Sequence, residues 1–243
     1  MVGRGVRHQA LPDATAAHET KANSVLRPIV FGANDGLVSN LALVMGVAGA
    51  NPEPGIIVLA GVAGLLAGAF SMGVGEYISV QSQRELLDFQ VAFQRKQLRE
   101  APQQERGILK RLYTERGFSP ERAEEFTDAV FQDEDHAVRL LIFEEVGLDE
   151  RSIGSPLAAG GSSFVAFTAG AFIPLLPFLL ASGSVAFWGS IAVSLVALAV
   201  LGYGIATLTR RPILYGALRQ MALGGIAAAV TYAVGRFLGA SGI

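Results

Sequence analysis

Five stretches of this chain, at residues 28–50, 55–80, 156–180, 185–207 and 215–238, are predominantly apolar over the roughly 20 residues that a helix needs to cross a bilayer. Lipid offers no hydrogen bonds, so an embedded segment must satisfy its own backbone amides and carbonyls, and a helix does so without a neighbour. The expected fold class is an all-α membrane protein with five transmembrane helices. The composition agrees, since 51% of the 243 residues are hydrophobic and 16% charged, too apolar a balance for an ordinary soluble domain. Cys is absent, which excludes disulfide frameworks, thiolate metal sites and cysteine nucleophiles. Any metal ligand must be oxygen, imidazole or thioether.

Charge divides the chain further. Of the 21 Asp and Glu residues, 16 lie at 81–155, two (Asp13, Glu19) near the N-terminus and one (Glu53) in a short loop. Asp35 and Glu76 are the carboxylates left within the apolar stretches, and the three His (His8, His18, His136) all lie outside them. Residues 81–155 read as a soluble helical domain inserted between spans two and three. Residues 1–27 read as a polar, mobile tail without the apolar core of a secretory signal. Lys and Arg, which cytoplasmic loops hold in excess, number four up to Arg27, none at 51–54 and eleven in the inserted domain. None separates spans three and four, and two (Arg210, Arg211) lie between spans four and five. This alternation places the N-terminus, the inserted domain and the Arg210 loop in the cytoplasm, with the C-terminus opposite. The domains are then a tail at 1–27, spans at 28–80, the insert at 81–155 and spans at 156–243.

Within the insert, nothing breaks the helix between the second span and residues 82–100, so one rod is expected to run on to Pro102. A helix at 103–116 closes at Gly117. Ser119-Pro120-Glu121 has the form of an N-cap with Pro at the first helical position, opening a third helix towards Asp135, and a last stretch at 137–145 ends at Gly147. The domain reads as a small helical bundle.

An ionised carboxylate within a span costs about 2.5–3.5 kcal/mol, so Asp35 and Glu76 call for an explanation, and function is the default. Glu76 follows Met72 by four residues, which stacks a thioether and a carboxylate on one helical face. A hard oxygen beside a soft sulfur suits ferrous iron better than calcium or magnesium. Under the orientation above, both carboxylates fall in the cytoplasmic halves of their spans, where a cation held between them would be released by protonation. The bland alternatives are that Asp35 caps a helix, that Glu76 snorkels to the interface and that Met72 packs a core. Glycines 61, 64, 68, 73 and 75 suit close helix contact better than a phosphate loop. No Ser/His/Asp arrangement, His-rich metal signature, nucleotide motif or cofactor signature is visible, so neither an enzyme, a resident cofactor nor a nucleic-acid partner is expected.

Three segments, FGANDGLVSN at 31–40, AGAFSMGVGEYISV at 67–80 and IPLLP at 173–177, resemble the signatures of the vacuolar iron transporter family, and the resemblance covers about residues 18–236. It implies a five-span fold, a homodimer with the pathway between subunits, and proton-coupled export of ferrous iron, often manganese too, from the cytoplasm. Asp35, Met72 and Glu76 match the family's membrane-site positions. In members with this insert, two Glu-x-x-Glu pairs and a Met pair before a Glu-Glu hold metal. Here the first pair falls on Gln94 and Gln97, the second on Glu105 and Ile108, and the Met pair within Leu140, Leu141 and Ile142, before Glu144 and Glu145. The insert's metal site is thus expected to be weak, resting on Glu105, Glu144 and Glu145. The run Asp133-Glu134-Asp135-His136 offers a replacement site or, more simply, a solvated acidic face.

The leading expectation is a homodimeric transporter moving ferrous iron or manganese out of the cytoplasm against protons. The alternative is a membrane-anchored protein that senses or buffers metal without turnover. The expected location is a prokaryotic plasma membrane, from the absence of a transit-like segment, with an organelle membrane as the alternative.

Overall fold

The computed structural model describes the backbone of residues 14–50, 53–147 and 153–241, with side chains from residue 26 onward in those segments. The described residues form eight helices and no strand: α1 (Ala14–Gly49), α2 (Pro54–Glu100), α3 (Pro102–Glu115), α4 (Pro120–Val130), α5 (Glu134–Val146), α6 (Pro156–Leu180), α7 (Gly183–Leu208) and α8 (Ile213–Ala240). Five of them are long and apolar enough to cross a membrane, α1 through its portion Leu26–Gly49.

The first helix differs from expectation. Residues 14–27 were expected to belong to a polar tail, but α1 starts at Ala14 and carries Pro28 in its interior. The stretch Ala14, Ala16, Ala17, Glu19, Lys21, Ala22 is rich in good helix formers, and one proline removes one backbone bond without ending so long a helix. Residues 1–13 lie outside the described residues.

The chain divides into two compact units, one of residues 22–78 and 155–243 and the other of residues 79–154 with 1–21. In the first, the spans α1, α6, α7 and α8 and the first half of α2 pack along stripes of small residues. On α7 every fourth residue is buried (Ala186, Ser190, Ser194, Leu198, Gly202, Ala206), and α8 repeats the spacing with Gly216, Gln220, Gly224 and Ala228. Small side chains at this interval let backbones approach where lipid supplies no hydrophobic drive. Backbones nearly touch between α1 and α6, where a Cβ on Gly36 would press into the carbonyl of Phe167 and one on Gly170 into that of Ala33, and again between α1 and α8, where a Cβ on Gly235 would press into that of Gly46. Of the α2 glycines, Gly61, Gly64, Gly68 and Gly73 lie against neighbouring helices, whereas Gly75 faces open space. Leu41, Val44, Met45, Ile57, Leu175 and Ala228 gather the inner faces of four helices into one core. Large apolar residues point outward, among them Leu59, Phe70, Val185, Leu214 and Phe237, a surface suited to lipid rather than water.

The second unit is a helical bundle with its own core of Leu87, Leu98, Leu109, Val130, Val138, Leu141 and Ile142. Its helix ends follow local chemistry. Ser119 accepts a bond from the Arg122 amide to cap α4, and Gly147 (φ 72°) closes α5 in the left-handed conformation. The third helix of the insert stops at Val130, short of the expected Asp135. The cause is Asp133, whose Oδ1 accepts from the amides of Asp135 (2.9 Å) and His136 (3.2 Å) and so starts α5.

Candidate functional site

Asp35 sits in the interior of α1, half-buried, and so does not cap the helix. Its backbone carbonyl accepts a bond from Ser39 Oγ at 2.6 Å, and its carboxylate joins no ion pair among the described residues. The polar patch around it is built into the helix packing. Asn40, 2% exposed, donates from Nδ2 to the Ala171 carbonyl of α6 at 2.6 Å. Its Oδ1 is buried without a partner, on the side where a Cβ at Gly64 of α2 would come within 3.1 Å. Asn34 Oδ1 is likewise buried and unpartnered. The two orphan acceptor oxygens belong to the residue just before Asp35 and to the one five positions after it on α1. The sequence marked the patch as polar, but not Asn40 as the residue tying α1 to α6.

Glu76 lies inside α2, two turns beyond the fully buried Ala69 on the same face. It is half-buried and forms no ion pair among the described residues. Met72, a turn before it, packs against the cluster of Leu65, Ala69, Phe167 and Ala171 beside Phe164, so its packing role is real whatever else it does. Among the described residues no three His, Cys, Asp or Glu side chains gather closely enough to hold a metal ion. Within one chain, Asp35 and Glu76 do not close a site by themselves.

In the insert, the second unit, Gln94 and Glu105 meet: the Gln94 amide donates to Glu105 Oε2 at 2.6 Å, both residues being buried. Gln97 and Ile108 are half-buried, while Leu141 and Ile142 belong to the core. Glu144 is not free to ligate. Arg116 grips it with both guanidinium nitrogens, and the Tyr113 hydroxyl donates to it at 2.9 Å. The Arg116 bond holds its carboxyl below the usual range. Burial and the bond to Glu144 push the Tyr113 hydroxyl up to about 12. Glu145 shifts the other way, raised first by burial and then by the charge of Glu105. Of the three acids named from the sequence, Glu105 is bonded by Gln94 and Glu144 by Arg116, while Glu145 joins no ion pair among the described residues. In the acidic run, Asp133 is a cap, Glu134 pairs with Arg99 at 3.0 Å and Asp135 with Arg95 at 2.6 Å, a solvated ion-pair face.

An all-α chain with five apolar helices and two carboxylates inside them is a multi-pass membrane protein. The model of the VIT family matches residues 26–236, and the chain belongs to that family. It is 37% identical over 216 residues to a vacuolar iron transporter of Acanthamoeba castellanii, covering 86% of this chain and 77% of the relative. It is also similar to vacuolar iron transporter 1 of Arabidopsis thaliana, 27% identical over 94% of this chain and 92% of the relative. A third is a vacuolar iron transporter of Toxoplasma gondii, 29% identical over 91% and 76%. These names belong to eukaryotic vacuolar proteins and lend no support to the expected prokaryotic plasma membrane.

Proposed function

We propose that this chain transports ferrous iron, with manganese as a second substrate, out of the cytoplasm in exchange for protons, acting as a homodimer. One observation carries the reading: Asp35 and Glu76 lie half-buried inside apolar spans, and neither has a cationic partner among the described residues. A charge so placed is costly unless a cation or proton visits it. The orphan oxygens of Asn34 and Asn40 add neutral acceptors on the same helix as Asp35. The named relatives supply iron as the cargo. Two copies of Asp35, one from each subunit, would complete a ligand set that one chain leaves open, with Met72 adding a soft donor that favours iron and manganese over magnesium. Protonation of either carboxylate weakens its hold on the metal, which couples release to the far side's acidity.

The buffering alternative loses ground in the insert. Glu144 is held by Arg116, and Leu141 and Ile142 fill the core where the resemblance expects methionine. The test is flux into liposomes holding a metal-sensitive dye, with and without a pH gradient. Asp35→Asn and Glu76→Gln are each expected to lower ferrous iron flux at least about tenfold, a rise of about 1.4 kcal/mol or more in the barrier, without changing the amount of folded protein. Undiminished flux in both variants would remove the site. Single cysteines at positions 97 and 243, in a chain that has none, should label from opposite sides of sealed cells.

A further inference from the structure

Where α7 gives way to α8, the structure holds a cleft of about 430 Å³ with Ala206 and Gly216 lining it beside Arg211, Tyr215 and Arg219. Neither arginine forms an ion pair among the described residues, and the sequence has no acid after Glu150. Arg211 follows the C-terminus of α7, where the helix dipole welcomes a cation, and Arg219 lies in the second turn of α8, past the turn where that helix's dipole acts. Arg219 also stands inside an apolar span, 5.8 Å over the ring of Tyr215. A cation there calls for an anion. The start of α8 offers further donors, because its N-cap is Pro212 and its first amides have no side-chain cap.

The turn itself is shaped for this arrangement. The Arg211 amide bonds the Ala206 carbonyl at 2.9 Å and the Arg210 amide the Thr207 carbonyl at 3.4 Å, the paired bonds of a helix ending that normally has glycine at its left-handed residue. Here Arg210 takes that conformation, with φ 53°. Ile205 and Tyr215 line the cleft, and Leu208 and Leu214, next in sequence to its residues Thr209 and Tyr215, are exposed and apolar. A cationic cleft inside an apolar rim fits an amphiphile better than a freely soluble anion.

We propose that this cleft binds the headgroup of an anionic phospholipid, its phosphodiester between Arg211 and Arg219 and its acyl chains along Leu208 and Leu214. The assignment stands apart from the identity of the transported ion. Full-length protein in detergent should be titrated by native mass spectrometry with dioctanoyl phosphatidylglycerol, dioctanoyl phosphatidylcholine and glycerol 3-phosphate. Phosphatidylglycerol should bind at least about tenfold more tightly than phosphatidylcholine. The double variant Arg211→Gln, Arg219→Gln should weaken it by about thirtyfold, from roughly fivefold for each basic residue near an anionic lipid, while phosphatidylcholine binding stays unchanged. In the unmodified protein, phosphatidylglycerol should slow phenylglyoxal labelling of Arg211 and Arg219 but not of the exposed Arg236, which decides the matter even if the variant does not fold. Equal binding of the two lipids, an unweakened variant or unprotected arginines would overturn the proposal. Glycerol 3-phosphate competing as well as the lipid would overturn the lipid as ligand and assign the cleft to soluble phosphate esters.

Discussion

Gln94→Glu sets a second carboxylate against Glu105 in a place that water scarcely reaches. Gln94 is 6% exposed and Glu105 5%, and the amide that would be replaced donates to Glu105 at 2.6 Å. Two carboxylates about 4 Å apart repel by about 4 kcal/mol at an effective dielectric near 20, and the lost bond to a charged acceptor adds about 1.5–3 kcal/mol. Protonation limits the total. Keeping an ordinary glutamate protonated costs about 1.36 kcal/mol for each unit of pH above its usual value, about 4 kcal/mol at pH 7, and the neutral carboxyl can then donate in place of the amide. The variant should therefore lose about 3–4 kcal/mol of stability in the inserted unit at pH 7 but only about 1 kcal/mol at pH 5. The sign follows from an acid whose folded-state value is raised: the penalty is full above that value and fades as pH falls towards the ordinary one. A divalent ion between the two carboxylates reverses the effect, by about 2.7 kcal/mol when Mn²⁺ is present at a hundred times its dissociation constant. Amide hydrogen exchange at Leu109 and its neighbours on α3, corrected for intrinsic rates and measured on the full chain with EDTA or Mn²⁺, reads this directly. Unchanged protection at pH 7 in EDTA would refute the buried like-charge pair. A loss that Mn²⁺ fails to restore would refute position 94 as a lost metal ligand.

Gly36→Ala drives a methyl into the Phe167 backbone and should cost about 1–3 kcal/mol, whereas Gly75→Ala, in open space, should leave thermal unfolding unchanged or raise it, by up to about 1 kcal/mol of helix propensity. Glu144→Gln should cost about 1–2 kcal/mol at pH 7 through its bonds to Arg116 and Tyr113. Because the folded-state value of Glu144 is lowered, that difference should vanish as pH falls through it, and equal unfolding temperatures at neutral pH would rule out the pairing as a stabiliser. Met72→Leu keeps the volume packed beside Phe164, so stability should change by less than about 1.5 kcal/mol. Its preference between iron and manganese should shift, and unchanged selectivity in the liposome assay would leave Met72 as packing alone.

The element boundaries were largely legible in the sequence because local chemistry sets them. Apolar length specifies five spans, Pro102 and Gly117 bound α3, Ser119 caps α4 and Gly147 ends α5. The two misjudged boundaries also have local causes that apolar length and proline position hid. Alanine-rich sequence carries α1 back to Ala14 through Pro28, and the Asp133 side chain starts a new helix inside a charged run. Asp35, Met72 and Glu76 were visible as site candidates because a charge or sulfur stands out against an apolar stretch. What those groups touch was not visible. Asn40 bonds Ala171 across 131 positions, Gln94 bonds Glu105 across 11 and Glu144 is held by Arg116 across 28. The cleft between Arg211 and Arg219 likewise depends on how α7 and α8 meet. Periodicity specifies which stripe of a helix turns inward, but contacts between stripes depend on how far each helix is rotated and slid against its neighbour. Close-packed positions such as Gly36 on Phe167 and Gly202 on Gly216 set that rotation, and only the tertiary structure decides it.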